Sequence, residues 1–178
     1  LPPVEFQVFD SKSDKLKPLP SSRIAKLYVC GITPYDATHM GHAATYVAFD
    51  TLNRFWQAIG VQVQYAQNIT DIDDPLLERA KLTSRAWEDI ATEQIDLFKA
   101  DMVALRVLPP QNYIGVVESM ELIEQSAVKL QELGVAYSVE NDLYFDMTHT
   151  DLLGEICHLS QAQMLEIFAQ RGGDPQRP

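Results

Sequence analysis

Two histidines three residues apart, His39 and His42, bracket Met40 and Gly41 where an apolar, helix-patterned stretch begins. A helix start offers unpaired backbone amides and a partial positive charge to an anion. Residues at i and i+3 share a face of the first turn, so both imidazoles can donate hydrogen bonds to one set of phosphate oxygens. Gly41 carries no side chain, which lets a flat base lie against the backbone. Nucleotidyl transfer uses such a site, because charge grows on the phosphates as the bond to pyrophosphate breaks. A preorganised donor at that point is worth roughly 3–4 kcal/mol. Two unrelated surface histidines are the plain alternative, and the flanking elements weigh against it.

Those elements form a βαβ pattern. Ile24-Ala25-Lys26-Leu27-Tyr28-Val29-Cys30 is a short apolar run rich in strand formers and reads as a buried strand. Residues 31–38 contain Gly, Pro and Asp and read as a loop. From Met40 to Ile59 the apolar positions Ala44, Ala48, Leu52, Phe55 and Ile59 recur at helical spacing, with Gly60 as the stop. Val61-Gln62-Val63-Gln64-Tyr65 alternates like a strand, and residues 68–74 form a polar loop ending at Pro75. A strand, crossover helix and strand predict a parallel sheet, whose ligands sit outside the carboxyl ends of the strands. The loops 31–38 and 68–74 are therefore expected to face one ligand.

Around this unit, residues 6–14 read as a short strand and turn, after which Pro18 and Pro20 break the chain. Pro75 opens a short helix through Leu82. Trp87, Ile90, Ala91, Phe98, Met102 and Leu105 mark a long amphipathic one. Pro109-Pro110 closes it and suggests a domain boundary, with residues 1–108 as the N-terminal half of a nucleotide-binding domain and 109–178 as an insertion. In the insertion, Met120, Ile123, Ala127, Leu130 and Leu133 form a helical stripe capped by Gly134. Ala136-Tyr137-Ser138-Val139 and Leu143-Tyr144-Phe145-Asp146 predict a hairpin. Ser160 caps a last helix through Met164, Leu165 and Phe168, stopped by Gly172-Gly173. Aromatic and Met positions in these helices are assigned to the core. The expected fold class is α/β: part of a doubly wound nucleotide-binding domain with a mostly helical insertion and a hairpin.

Composition narrows the partners. The 178 residues are 46% hydrophobic and 22% charged, as in ordinary globular chains. The net charge of −11 comes from 25 acidic and 14 basic residues, the latter scattered singly, so no basic stripe for a long nucleic acid is evident. No apolar run is long enough for a membrane span, and no export signal opens the chain, so a cytoplasmic protein with no membrane partner is expected. Leu1 at the start and Gly172-Gly173-Asp174-Pro175-Gln176-Arg177-Pro178 at the end read as cuts within a longer protein. Two cysteines, Cys30 and Cys157, make no disulfide framework. Cys157 is read as a buried, inert core thiol.

Three strings in order, Cys30-Gly31-Ile32-Thr33-Pro34-Tyr35-Asp36, His39-Met40-Gly41-His42 and Asn68-Ile69-Thr70-Asp71-Ile72-Asp73-Asp74, resemble the cysteine-activating class I enzymes. That family holds cysteinyl-tRNA synthetase and the cysteine:glucosaminyl-inositol ligases of mycothiol synthesis. The synthetase pattern usually reads C-G-P-T-V-Y-D with an Arg soon after the second His. Ile32, Pro34 and Ala43-Ala44-Thr45-Tyr46 depart from it, whereas Asp74-Pro75-Leu76-Leu77-Glu78-Arg79-Ala80 and Arg171-Gly172-Gly173-Asp174-Pro175 are similar to the ligase branch. Gln170 stands where the ligase pattern has Glu.

The resemblance implies a partial class I catalytic domain that activates L-cysteine with ATP as cysteinyl-AMP and joins it to the amine of glucosaminyl-inositol. It implies a monomer, with tRNA not expected as acceptor. Cysteinyl-tRNA synthetase is the alternative, as are another nucleotidyltransferase of this superfold and a nucleotide-binding fragment inactive by itself. His39, His42 and Thr70 would be catalytic, with the histidines on the phosphates. Cys30, Gly31, Ile32 and Thr33 would line the cysteinyl moiety, while Thr45, Asn68, Ile69 and Thr70 would contact the adenylate. Cys30 would be one zinc ligand, the metal choosing a thiolate substrate over a hydroxyl. The remaining zinc ligands and the KMSKS-like phosphate loop would lie beyond Pro178. Asp71, Asp73 and Asp74 read less as a metal cluster than as a polar loop with Asp74 as helix N-cap and Pro75 at N1.

Overall fold

The computed structural model describes residues 6–19, 22–150 and 153–170. Pro20 and the string from Arg171 to Pro175, with its two glycines expected to stop the last helix, lie outside those residues. The chain divides into two compact units, Ser22–Ile123 and a second made of Leu1–Ser21 with Glu124–Pro178.

The second unit opens the chain with β1 (Gln7–Asp10) and β2 (Lys15–Pro18), an antiparallel hairpin. The sequence predicted only β1 and its turn. β2 escapes because Lys-Leu-Lys-Pro has one apolar residue and a proline, which a hairpin edge tolerates.

Ser22–Ile123 is built on three parallel strands, β3 (Ile24–Val29), β4 (Gln62–Ile69) and β5 (Asn112–Gly115), in the order β3-β4-β5. Between β3 and β4 runs α1 (Met40–Ala58); between β4 and β5 run α2 (Asp74–Thr83) and α3 (Trp87–Ala104). Val29 pairs with Gln67 and Ile69 with Gly115, so the three carboxyl ends lie along one edge of the sheet. The βαβ unit and parallel pairing expected from the sequence are present. On β4 the buried positions alternate as Val63, Tyr65, Gln67 and Ile69. Gln67 is buried there with its Oε1 accepting from the Tyr65 hydroxyl at 3.0 Å, while its buried Nε2 finds no partner among the described residues.

Several expectations need correction. β3 is not buried on both faces: Leu27 and Val29 are, while Tyr28 is 65% exposed. β4 extends through Asn68 and Ile69, so the polar loop starts at Thr70. β5 went unread because its four residues, Asn112–Gly115, closely follow Pro109-Pro110 and are too few to show a period. On α1 the inward face is centred on Tyr46, Leu52 and Asn53, and Ala44, Ala48 and Ile59 of the expected stripe are exposed. Polar groups turn it: Asp50 accepts from the Leu108 amide at 2.9 Å, and Gln57 donates to Asn53 at 2.8 Å.

Tyr46 of α1, Phe98 of α3 and Tyr113 of β5 form a ring series with centroids 5.1 and 6.5 Å apart. Leu76, Ile90 and Ala91 make a second cluster joining α2 to α3, with Trp87 and Ile95 against it.

The rest of the second unit begins with α4 (Met120–Glu132), which spans the division between units. Gly134, at φ +71°, ends it in the left-handed conformation that suits glycine. The expected hairpin is β6 (Ala136–Val139) paired with β7 (Asp142–Phe145), Tyr137 stacking on Tyr144 at 5.9 Å. A 3-10 turn (Met147–His149) and the short α5 (Leu153–Cys157), both unpredicted, lead to α6 (Gln161–Gln170). Ser160 caps α6 reciprocally, its amide donating to Gln163 Oε1 at 2.9 Å and its Oγ accepting from the Gln163 amide at 3.4 Å. Leu165, Phe168 and Met120 are exposed rather than core, and so is Cys157. α4 and α6 bury none of their residues, so their apolar positions meet no closed core. Among the described residues no helix is long and apolar enough to cross a membrane.

Candidate active site

Beyond β3 the chain leaves the sheet at Cys30 and is drawn against the end of β4. Gly31 approaches so closely that a Cβ there would stand 1.5 Å from the Asn68 carbonyl oxygen, so only glycine fits. The Gly31 amide donates to Asn68 Oδ1 at 2.8 Å, and the Thr70 amide donates to the Ile32 carbonyl at 2.9 Å. Ile32 and Pro34 are buried and anchor the loop from below. The Tyr46 hydroxyl of α1 donates to the Cys30 carbonyl at 3.3 Å.

At His39 the loop turns into α1, and the two histidines cap the helix with their own rings. The Gly41 amide donates to His39 Nδ1 at 3.0 Å, and the His39 amide donates to His42 Nδ1 at 3.2 Å. This is a capping box made from imidazoles. Each Nδ1 must be unprotonated to accept, so each neutral ring carries its proton on Nε2. The rings lie 4.1 Å apart, tilted by 31°. His42 is held below the ordinary histidine pKa of 6.5, first by burial and then by charge on His39. With both Nδ1 atoms occupied as acceptors in the caps, Nε2–H is the donor each ring has left to offer. Gly41 gives the His39 ring its clearance: a Cβ there would lie 2.8 Å from His39 Cε1 and push the ring off its cap.

A cavity of about 250 Å³ opens here, lined by residues 31–33 and 35–37 with His39 and His42. It brings together Gly31, Ile32, Thr33, His39 and His42 of the sequence-derived set. Asn68, Ile69 and Thr70 do not line it. Ile69 is buried in the sheet, and Asn68 and Thr70 stand behind the loop as supports. Thr45 is exposed on α1, its hydroxyl donating to the Gly41 carbonyl at 3.1 Å.

The aspartates of the Asn68–Asp74 string have structural partners. Asp71 accepts from the Val117 amide at 3.0 Å and closes against Gly115, where a Cβ would meet its Oδ2 at 2.5 Å. Asp73, not Asp74, is the N-cap of α2, accepting from the Asp74 amide at 2.9 Å; Asp74 and Pro75 occupy the first turn. The cap sits one residue early because Pro75 fits the second helical position as readily as the first.

Sequence reasoning missed two further ties. The Thr38 hydroxyl donates to Asp101 Oδ2 of α3 at 2.7 Å, fixing the residue before His39. The Tyr28 hydroxyl donates to Asn68 Oδ1 at 2.9 Å. Thr38 carries a weak signal, a hydroxyl residue just ahead of a helix, but that position suggests a cap rather than a bond 63 residues away.

For zinc, Cys30 is a free, exposed thiol, and among the described residues no group of three or more His, Cys, Asp and Glu could hold a metal ion. The described residues therefore do not by themselves fit a zinc site, which needs about three protein ligands.

Comparison with known proteins adds the family. Residues 16–176 match the family of tRNA synthetase class I (C) catalytic domains. A ligase from Nocardiopsis dassonvillei, L-cysteine:1D-myo-inositol 2-amino-2-deoxy-alpha-D-glucopyranoside ligase, is 50% identical over 172 residues, 97% of this chain and 42% of its own length. The ligase of the same name from Kribbella flavida is 50% identical over 178 residues, covering 99% of this chain and 44% of that protein. The chain thus spans about two fifths of these curated relatives. Among solved structures, Mycobacterium tuberculosis methionyl-tRNA synthetase in complex with methionyl-adenylate superposes with a TM-score of 0.57 at 21% identity, over 63% of this chain and 23% of that one. A leucyl-tRNA synthetase from Agrobacterium radiobacter gives 0.56 at 24% identity, over 66% and 16%. At those identities the two structures speak to the fold alone.

Proposed function

The chain belongs to the tRNA synthetase class I (C) catalytic-domain family, and from that premise we propose that its full-length protein activates L-cysteine with ATP, releasing pyrophosphate, and joins the cysteinyl group to an amino sugar. The observation that carries the first step is the imidazole capping box at the cavity mouth. It fixes two Nε2–H donors at a helix start, where the charge of a transferring phosphate would be received. Being locked by their caps, these donors need no reorganisation as charge develops. Residues 31–33 form the neighbouring wall, suited to the cysteinyl end. Thr70, its amide tied to Ile32, holds that wall and carries its hydroxyl at the loop's rear.

The acceptor reading, the amine of glucosaminyl-inositol, is supported by the half-identity to ligases of that name along nearly the whole chain. Cysteinyl-tRNA synthetase is the second reading, favoured by the family description itself. Cys30 could join a zinc site only with ligands from outside the described residues, and no step is built on the metal. The chain of residues 1–178 alone is expected to be inactive. The test is ATP–pyrophosphate exchange by the full-length protein with each amino acid in turn. Exchange dependent on cysteine supports the proposal, and exchange with another amino acid, or none, overturns it.

A further inference from the structure

Asn68 sits at the end of β4, and its side chain has a choice. Rotating the amide by 180° about its last bond exchanges Oδ1 and Nδ2 with almost no change of shape. Only one orientation suits the loop, because the Gly31 amide is a donor and needs an oxygen opposite it. The Tyr28 hydroxyl donates to that same Oδ1 at 2.9 Å, so two donors converge on one oxygen. Nδ2 is then directed to Thr70 Oγ1, at 3.4 Å. A flipped amide would set N–H against N–H at Gly31 and lose that bond; the Gly31 amide chooses the orientation, and the Tyr28 hydroxyl, which can donate or accept, holds the side chain in place. Tyr28 is an odd residue for this task, since its ring is 65% exposed on β3 and adds little to the core. Its hydroxyl spans 40 residues of sequence to reach Asn68.

We propose that Tyr28 is a positioning residue: its hydroxyl anchors the Asn68 side chain whose oxygen receives the Gly31 amide, and so sets where residues 30–33 present the cysteinyl pocket. The effect on the reaction rests on the activity proposed above; the lock this anchor places on the loop does not. Tyr28 acts through Asn68 and Gly31 and touches no reacting atom. The lock belongs to the amino-acid wall of the cavity and not to the histidine caps, which use separate bonds. Its loss should fall on cysteine and spare ATP.

The experiment compares Tyr28→Phe, Asn68→Ala and Asn68→Asp with the wild type in the full-length protein. Tyr28→Phe removes one oxygen from an exposed ring and leaves the core intact. Loss of one neutral hydrogen bond predicts about a fivefold rise in KM for cysteine in pyrophosphate exchange, with KM for ATP within about twofold. Asn68→Ala should raise KM for cysteine further, and Asn68→Asp, which keeps an acceptor for the Gly31 amide, should recover most of that loss. Hydrogen exchange of the peptide holding residues 29–33 gives a readout without activity, and should quicken about fivefold in Tyr28→Phe. Unchanged exchange in that peptide overturns the lock, whatever the kinetics. Faster peptide exchange with KM for cysteine unaltered, in a wild type that activates cysteine, overturns the positioning role. A wild type with no cysteine-dependent activity refutes the proposed function instead, and the peptide still decides the lock.

Discussion

Replacing Gly31 by alanine perturbs the site at its tightest point. The new Cβ would start 1.5 Å from the Asn68 carbonyl oxygen and 2.6 Å from its carbon, both backbone atoms that no rotamer can move. Reaching an ordinary contact near 3.4 Å requires the loop to retreat by about 2 Å. That displacement breaks the Gly31–Asn68 bond of 2.8 Å and the Thr70–Ile32 bond of 2.9 Å. At about 1 kcal/mol net for each bond, more where a partner is left buried, the loss is about 2–4 kcal/mol. Gly41→Ala is the control. Its Cβ meets the His39 ring, which can swing away, so the change loses a cap worth about 1 kcal/mol and regains about as much in helix propensity. Both tryptophans of the chain, Trp56 and Trp87, lie in the Ser22–Ile123 unit, so their fluorescence during urea unfolding reports on that unit. The expected order is Gly41→Ala near wild type and Gly31→Ala well below both. Equal midpoints for the two variants would refute the close-approach reasoning.

His42→Ala in the full-length protein should lower the rate of pyrophosphate exchange by about a hundredfold or more while changing cysteine affinity little, because its donor acts on charge present in the transition state. An unchanged exchange rate would remove His42 from the phosphates. The same caps fix a pH dependence. His42 has a folded pKa below 6.5, so its share of stability is complete above 6.5 and is lost as pH falls through the lower folded value. Unfolding midpoints and exchange rates should hold steady above pH 6.5 and fall below it; a rate that climbs on acidification would mean that the cationic ring is the working form. Zinc measured by elemental analysis on the dialysed 178-residue chain should be far below one per molecule, since the described residues assemble no three-ligand group. Near-stoichiometric zinc would point to Cys157 and His158.

Much of this architecture was legible because it rests on periodicity and punctuation. Gly60 and Gly134 mark helix ends through their positive φ, and the alternation from Val61 to Tyr65 continues in structure to Ile69. β2 and β5 were not legible, being four-residue strands whose pairing is decided by the neighbouring chain and not by their own pattern. The site divides in the same way. His39 and His42 announce themselves by type and spacing, and Gly31 through the resemblance of its string to the family's. Tyr28 and Asp101 do not, because each acts across tens of residues on a partner that only the fold brings near. Gly41 was readable as a special position, but its reason, clearance for the His39 ring, required the cap geometry. The exposed Cys157 shows the opposite failure, a composition-based expectation of burial with no local packing to realise it.

In the proposed reaction, activated cysteine goes to a sugar amine. The most direct measurement gives the full-length protein labelled cysteine and ATP with glucosaminyl-inositol and tRNA side by side, following label into each. The expected product is a cysteinyl amide of the amino sugar, formed with consumption of ATP, with no label on tRNA. Robust charging of tRNA with no amide product would contradict it.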